Sequence, residues 1–199
     1  MSASVAVLHT GALAAGAPDP VDRQLLRRVL VLARVVPVTL VCAEPQLGPV
    51  RAPELDAAGV TVVEAPATVD RWLVEHPSVT AVVATSVPLA ERVRHARPDV
   101  PVVIDLVALP ALAHEHLRLD QDALEHDGVE CMADHLRARD GGVLHHAAAV
   151  LVPTDDLARA VRAIAPGATV HVVAAAVPCA AERTPPRTRR VAVVGGVAS

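Results

Sequence analysis

Three features of the 199-residue sequence predict an α/β fold, a mostly parallel sheet sandwiched by helices. Short runs rich in Val, Ala and Ile recur between longer stretches with helical periodicity. Most of these runs are continuously apolar rather than alternating, as expected of strands covered on both faces. Prolines also bracket the first amphipathic stretch, in the positions where they start and stop helices.

In chain order, the strands are expected at Ser4–His9, Val38–Cys42, Val60–Glu64, Thr80–Ala84, Val102–Leu106, Ala149–Val152, Val170–Val173 and Val191–Val194. Between the first two, Val21–Val35 carries Leu25, Leu26, Val29, Leu32 and Ala33 in one stripe, with Arg23, Arg27, Arg28 and Arg34 largely outside it. Pro18 and Pro20 precede that helix and Pro37 follows it. Further helices are expected at Asp70–His76, Leu89–Ala96, Pro110–Leu119, Ala123–Ala147 and Asp155–Ile164, each between two strands. Alternation of this kind builds a Rossmann-like sheet.

Composition removes several mechanisms. The chain has one Trp, no Phe, no Tyr, no Lys and no Asn, and 18 Arg against 22 Asp and Glu leave a net charge of −4. Without lysine there is no P-loop phosphate clamp and no Schiff-base chemistry, and without tyrosine no phenolic acid. A core of Ala, Val and Leu has only the ring of Trp72 to fill larger gaps. A nucleic-acid surface would need clustered positive charge and stacking rings, which the acidic balance and the lack of aromatics disfavour. The densest basic run, Arg183–Arg190, is interleaved with Pro185, Pro186, Thr184 and Thr188 and reads as a solvated linker.

Cys42, Cys131 and Cys179 are too widely spaced for a zinc knuckle and odd in number for a disulfide framework, so a reducing cytoplasm is expected. No transmembrane segment and no signal peptide are expected. The most apolar window, Val29–Ala43, is broken by Arg34 and Pro37, and no charged n-region opens the chain.

Ligands of open parallel sheets bind beyond the carboxyl ends of the strands. The ends that carry polar groups are His9-Thr10-Gly11, Glu44, Thr85-Ser86, Asp105 and Pro153-Thr154-Asp155-Asp156. Gly11 to Gly16 has the spacing G-x-x-x-x-G rather than the dinucleotide fingerprint. Glu44 lies 33 residues beyond Gly11 rather than the roughly 20 of a ribose ligand, so an ordinary strand-helix turn is the better reading. Six of the ten histidines fall between His114 and His146, but their spacing puts neither His114/His116 nor His145/His146 on one helical face. A polar helix surface is expected there and no metal site. Thr154 with Asp155 and Asp156 reads as a helix N-cap, and Cys42 as a small core residue. There is no G-x-S-x-G elbow.

Several segments, taken in order, resemble the amino-terminal domain of two-domain (GT-B) glycosyltransferases of the group 1, or GT4-like, superfamily. Pro101–Leu106 is similar to that family's P-x-V-x-D strand, and Glu130 through Leu136, Arg137 and Asp140 to its E-x-x-x-L-R-x-x-E helix. Ala147–Leu157 and Ala165–Val173 are similar to its next two strand-helix junctions, and Arg190–Gly196 to the first strand and glycine turn of its second domain. Two stretches depart from it. Val107-Ala108 stands where the family has His-Asp, and Ala175-Ala176-Val177-Pro178 where it has Asn-Gly-Val-Asp.

The resemblance implies a Rossmann-like GT-B acceptor-side domain over 1–178, a Pro/Arg-rich linker over 179–190 and the first strand of a second domain over 191–199. It implies sugar transfer from a nucleotide-sugar donor to a sugar or small-molecule acceptor, without a cofactor or metal. This chain would be a truncated or degenerate acceptor-side half, inactive until a second GT-B domain or partner chain is supplied. Gly11, Gly16 and Asp105 would line the acceptor cleft, and Gly195 and Gly196 would face the donor diphosphate. The competing reading is a non-catalytic Rossmann-like module that binds a nucleotide or a protein.

Overall fold

The structure, a computed structural model, describes residues 3–10, 20–43, 52–64, 68–106 and 137–174. They contain the strands β1 (Ser4–His9), β2 (Val38–Cys42), β3 (Thr61–Glu64), β4 (Val79–Ala84), β5 (Val102–Asp105), β6 (Ala149–Val152) and β7 (Val170–Val172). The helices are α1 (Pro20–Leu32), α2 (Pro53–Ala57), α3 (Val69–Glu75), α4 (Val87–Ala96), helical residues 137–145, here α5, and α6 (Asp155–Ile164). All seven strands pair in parallel in the order β3-β2-β1-β4-β5-β6-β7. The predicted α/β, Rossmann-like sheet is present.

The sheet forms two cores because successive side chains on a strand point to opposite faces. Ala6 and Leu8 of β1 pack with Trp72 and Leu73 of α3, Val93 of α4, Leu144 of α5 and Val161 of α6. Val7 points the other way and packs with Leu25 and Val29 of α1 and Leu55 of α2. Cys42 joins this second core at 2% exposure, as expected of a small core residue. Each fully buried leucine, such as Leu40, Leu55, Leu73 and Leu144, contributes about 1.5–3 kcal/mol by leaving water.

The division of helices between faces follows from handedness. Right-handed crossovers put their helices on one face while the chain steps from β1 to β3, and on the other when it steps from β4 to β7. The order therefore reverses between β1 and β4, the place where open α/β sheets bind ligands beyond the carboxyl ends of their strands.

Helix starts are set locally. Thr68 caps α3 by accepting from the Arg71 N–H at 3.2 Å, and Ser86 caps α4 by accepting from the Leu89 N–H at 3.4 Å. Thr154 accepts from the Leu157 N–H at 3.2 Å, with Asp155 and Asp156 in the first turn of α6, as the sequence predicts. Trp72 is 7% exposed and stacks on His76 at 4.3 Å, with the rings inclined by 20°.

The structure adds α2, five residues that start at Pro53 and bury only Leu55. Gly59 ends that turn at φ 71°, a conformation that glycine adopts without steric cost. Helix α1 begins one residue before the predicted span and ends at Leu32, because residues 33–35 turn toward β2. The predicted helix at Pro110–Leu119, most of Ala123–Ala147 and the strand at Val191–Val194 lie outside the described residues, as does the division at 178/179.

Candidate functional site

The carboxyl ends of β1 and β4, where the strand order reverses, carry a linked set of polar side chains. His9 ends β1, and its carbonyl accepts from the Ala43 N–H at 2.7 Å, while the Thr85 N–H donates to the Leu8 carbonyl at 3.1 Å. These bonds fix His9 and Thr85 side by side although they are 76 residues apart in sequence. Nδ1 of His9 lies 3.1 Å from Thr85 Oγ1, and Nε2 lies 3.4 Å from Oδ1 of Asp22, in the first turn of α1. His9 is only 8% exposed.

Asp22 lies on the Nε2 side of this histidine. A carboxylate beside Nε2 favours the proton on that nitrogen, leaving the Nδ1 lone pair to accept from the Thr85 hydroxyl. In that tautomer Nδ1 is a proton acceptor with a hydroxyl seated at it.

The second polar centre lies at the end of β5. Asp105, 5% exposed, accepts from Nη1 of Arg28, whose Nη2 donates to the Val173 carbonyl at 3.0 Å. The sequence pattern sets Arg28 largely outside the apolar stripe of α1. The structure instead turns its side chain inward, to 19% exposure, because the buried carboxylate supplies a partner. Arg28 thus spans from α1 to β5 and to the end of β7.

An open groove of about 860 Å³ runs from Asp105 along the same face of the sheet, beside α1. Its floor is Val83, Val103 and Leu151. Val7 of β1 and Val83 of β4 belong to this lining, on the two strands whose carboxyl ends carry His9 and Thr85; His9 and Thr85 themselves are not part of it.

Of the residues singled out in sequence, Asp105 is at this site. Gly11, Gly16, Gly195 and Gly196 lie outside the described residues. Sequence reasoning named the His9 and Thr85-Ser86 strand ends but did not bring them together, and it passed over Asp22. A histidine closing a strand and an aspartate in the first turn of the next helix were the available signal. Ser86 is committed to capping α4. His145 and His146 stand edge to face at 5.3 Å, and the other histidines of that run lie outside the described residues. Among the described residues, no three His, Cys, Asp or Glu side chains are grouped to hold a metal ion, and no helix is long and apolar enough to cross a membrane.

No family model matches the chain, and no curated protein matches it. Among solved structures, it is similar to Phytolacca americana UGT2 complexed with UDP-2fluoro-glucose and pterostilbene. The TM-score is 0.56 at 12% identity, over 87% of this chain and 54% of that one. Apo UGT2 from the same organism matches with a TM-score of 0.53 at 11% identity, over 86% of this chain and 52% of that one. The chain thus spans about half the length of the UGT2 structures it matches. At such identities the likeness establishes the fold.

Proposed function

We propose that the chain is the acceptor-side half of a glycosyltransferase, with His9 as the base that takes the proton of an acceptor hydroxyl. The His9 arrangement carries this reading: a buried imidazole, oriented by Asp22 and seated on a hydroxyl, at the strand-order reversal of a sheet that resembles UGT2. In the transfer step an acceptor hydroxyl replaces Thr85 Oγ1 at Nδ1. Its oxygen forms a bond to the anomeric carbon of the donor sugar as its proton passes to Nδ1, and the bond to the nucleoside diphosphate breaks with the electron pair leaving on that group. Asp22 stabilises the resulting imidazolium.

The donor would be a nucleotide sugar held by a second domain, and the finer assignment is to the GT-B, GT4-like group. The span over about half of UGT2 is consistent with that division of labour. In this assignment 1–178 is the acceptor domain, 179–190 the linker and 191–199 the opening strand of the donor domain. Gly11, Gly16 and Asp105 would line the cleft, with Gly195 and Gly196 at the diphosphate.

The test is turnover of a panel of nucleotide sugars with hydroxylated acceptors, by the chain alone and with a GT-B donor domain supplied. Transfer that His9→Gln lowers by about 10²–10⁴, with donor binding unchanged, is the expected result. Tight nucleotide binding by the chain alone, without transfer in either setting, would make it a binding module instead.

A further inference from the structure

The two faces of β4, β5 and β6 are buried to different extents. Val82, Ile104 and Val150 are at 0% exposure, whereas their neighbours Val83, Val103 and Leu151 are only half-buried along the groove. Val83 also packs against the core under α1, while Val103 and Leu151 line the open part of the groove.

The α1 side of the groove has a polarity gradient. The helix runs from the carboxyl edge of the sheet down to the start of β2, about 20 Å. Arg23 and Arg27 lie one turn apart on its upper half, Val31 one turn further down, and Val35 lines the groove from the turn that follows the helix. Val31 is 61% exposed and Val35 76% exposed, so both valines meet solvent. Three guanidiniums and one carboxylate, Asp105, are the charges of the lining. Asp105 is satisfied by Arg28. Arg23 and Arg27 each have an interaction already, but a guanidinium offers five N–H donors and can serve a second acceptor.

We propose that this groove is a binding site for an aliphatic acid, with its chain along Val83, Val103 and Leu151 and its carboxylate at Arg23 and Arg27. The volume, about 860 Å³, lies within the range of about 300–1,000 Å³ that ligand sites occupy. The chain and the acid group follow from the groove. A hydroxyl near the acid end follows from the transfer reading, on which that part rests, because Val7 and Val83 of the lining belong to the strands that lead to His9 and Thr85. The acceptor class is then a medium-chain hydroxy acid.

Calorimetry with 3-hydroxydecanoate, in the absence of any nucleotide sugar, tests the groove by itself. Binding is expected to weaken about fifteenfold for every two methylenes removed, as in 3-hydroxyoctanoate and 3-hydroxyhexanoate. The methyl ester and Arg27→Gln are each expected to bind about tenfold more weakly, and Val103→Asp to abolish binding. Val31→Glu, at an exposed helix position that leaves folding intact, is expected to weaken it about tenfold as well. Absent binding, affinity independent of chain length, or indifference to both Val103→Asp and Val31→Glu would overturn the site. Loss of binding on addition of a donor domain would give the groove to that domain and overturn it too. Decanoate without the hydroxyl is expected to bind within a few-fold. Binding of the hydroxy acid without its glycosylation, in a system that turns over other acceptors, would keep the groove and remove the acceptor role. Failure of every acceptor would count against the transfer reading alone.

Discussion

The two faces of the sheet share the same strands but differ in packing. The face under α3, α4, α5 and α6 is closed: Ile104, Val150, Leu73 and Leu144 have at most 1% exposure. On the opposite face, among the described residues, α1 and α2 cover the β1–β3 side with Leu25, Val29 and Leu55 and reach Val83 of β4, while Val103 and Leu151 line an open groove beside α1. This follows from topology. Once the strand order reverses at β1, the helices α4, α5 and α6 all fall on one face, so the described residues cover the other face less completely.

The largest effect expected of a single change lies on the closed face. Leu73→Ala should lower stability by about 2–5 kcal/mol in denaturant unfolding, whereas Val103→Ala, on the open side, should cost less than about 1 kcal/mol. Equal losses would mean that the open side is packed as tightly as the closed one. Next comes the strap between α1 and β5. Arg28→Met leaves the buried Asp105 without its guanidinium and should cost about 1.5–3 kcal/mol, measured in the same way. Thr154→Ala removes the α6 cap on the closed face and should cost about 1 kcal/mol.

The smallest effect is expected at the exposed Arg97–Asp99 pair. The hydrogen bond from Arg97 holds the Asp99 carboxyl below its ordinary value. Its contribution is therefore complete above the ordinary carboxylate range and is lost as the pH falls through the lowered value. Asp99→Asn should shift the thermal midpoint slightly near neutrality and not at all in strong acid. A difference that grew with acidity would contradict the pairing.

Much of this fold is legible from local pattern. The bounds of β1, β2, β6 and α6 coincide with those read from the sequence, because apolar β-branched runs and a Thr-Asp-Asp cap are local signals. Helix α2 was not legible, since five residues with one buried leucine carry no periodicity. The site was legible only in pieces. His9 and Thr85 meet across 76 residues, and Arg28 and Asp105 across 77. Which strand ends become neighbours depends on where the strand order reverses, a property of the whole sheet rather than of any motif. His9, Thr85 and Asp105 could each be picked out as polar ends of apolar strands, but their partners could not.

The place of β1 between β2 and β4 also bears on how the molecule assembles. In the final register Ser4 lies beside Val79 and Leu8 beside Ala84, so one edge of β1 waits for residues about 75 positions later. Until they emerge, that edge offers a row of unsatisfied amides and carbonyls, and only β2 can occupy the other side. Closing so distant a pair costs chain entropy before any contact is gained, which makes the β1–β4 junction a slow step in folding. That same junction brings the two strand ends together, so His9 acquires its partner Thr85 only once this late pairing is complete.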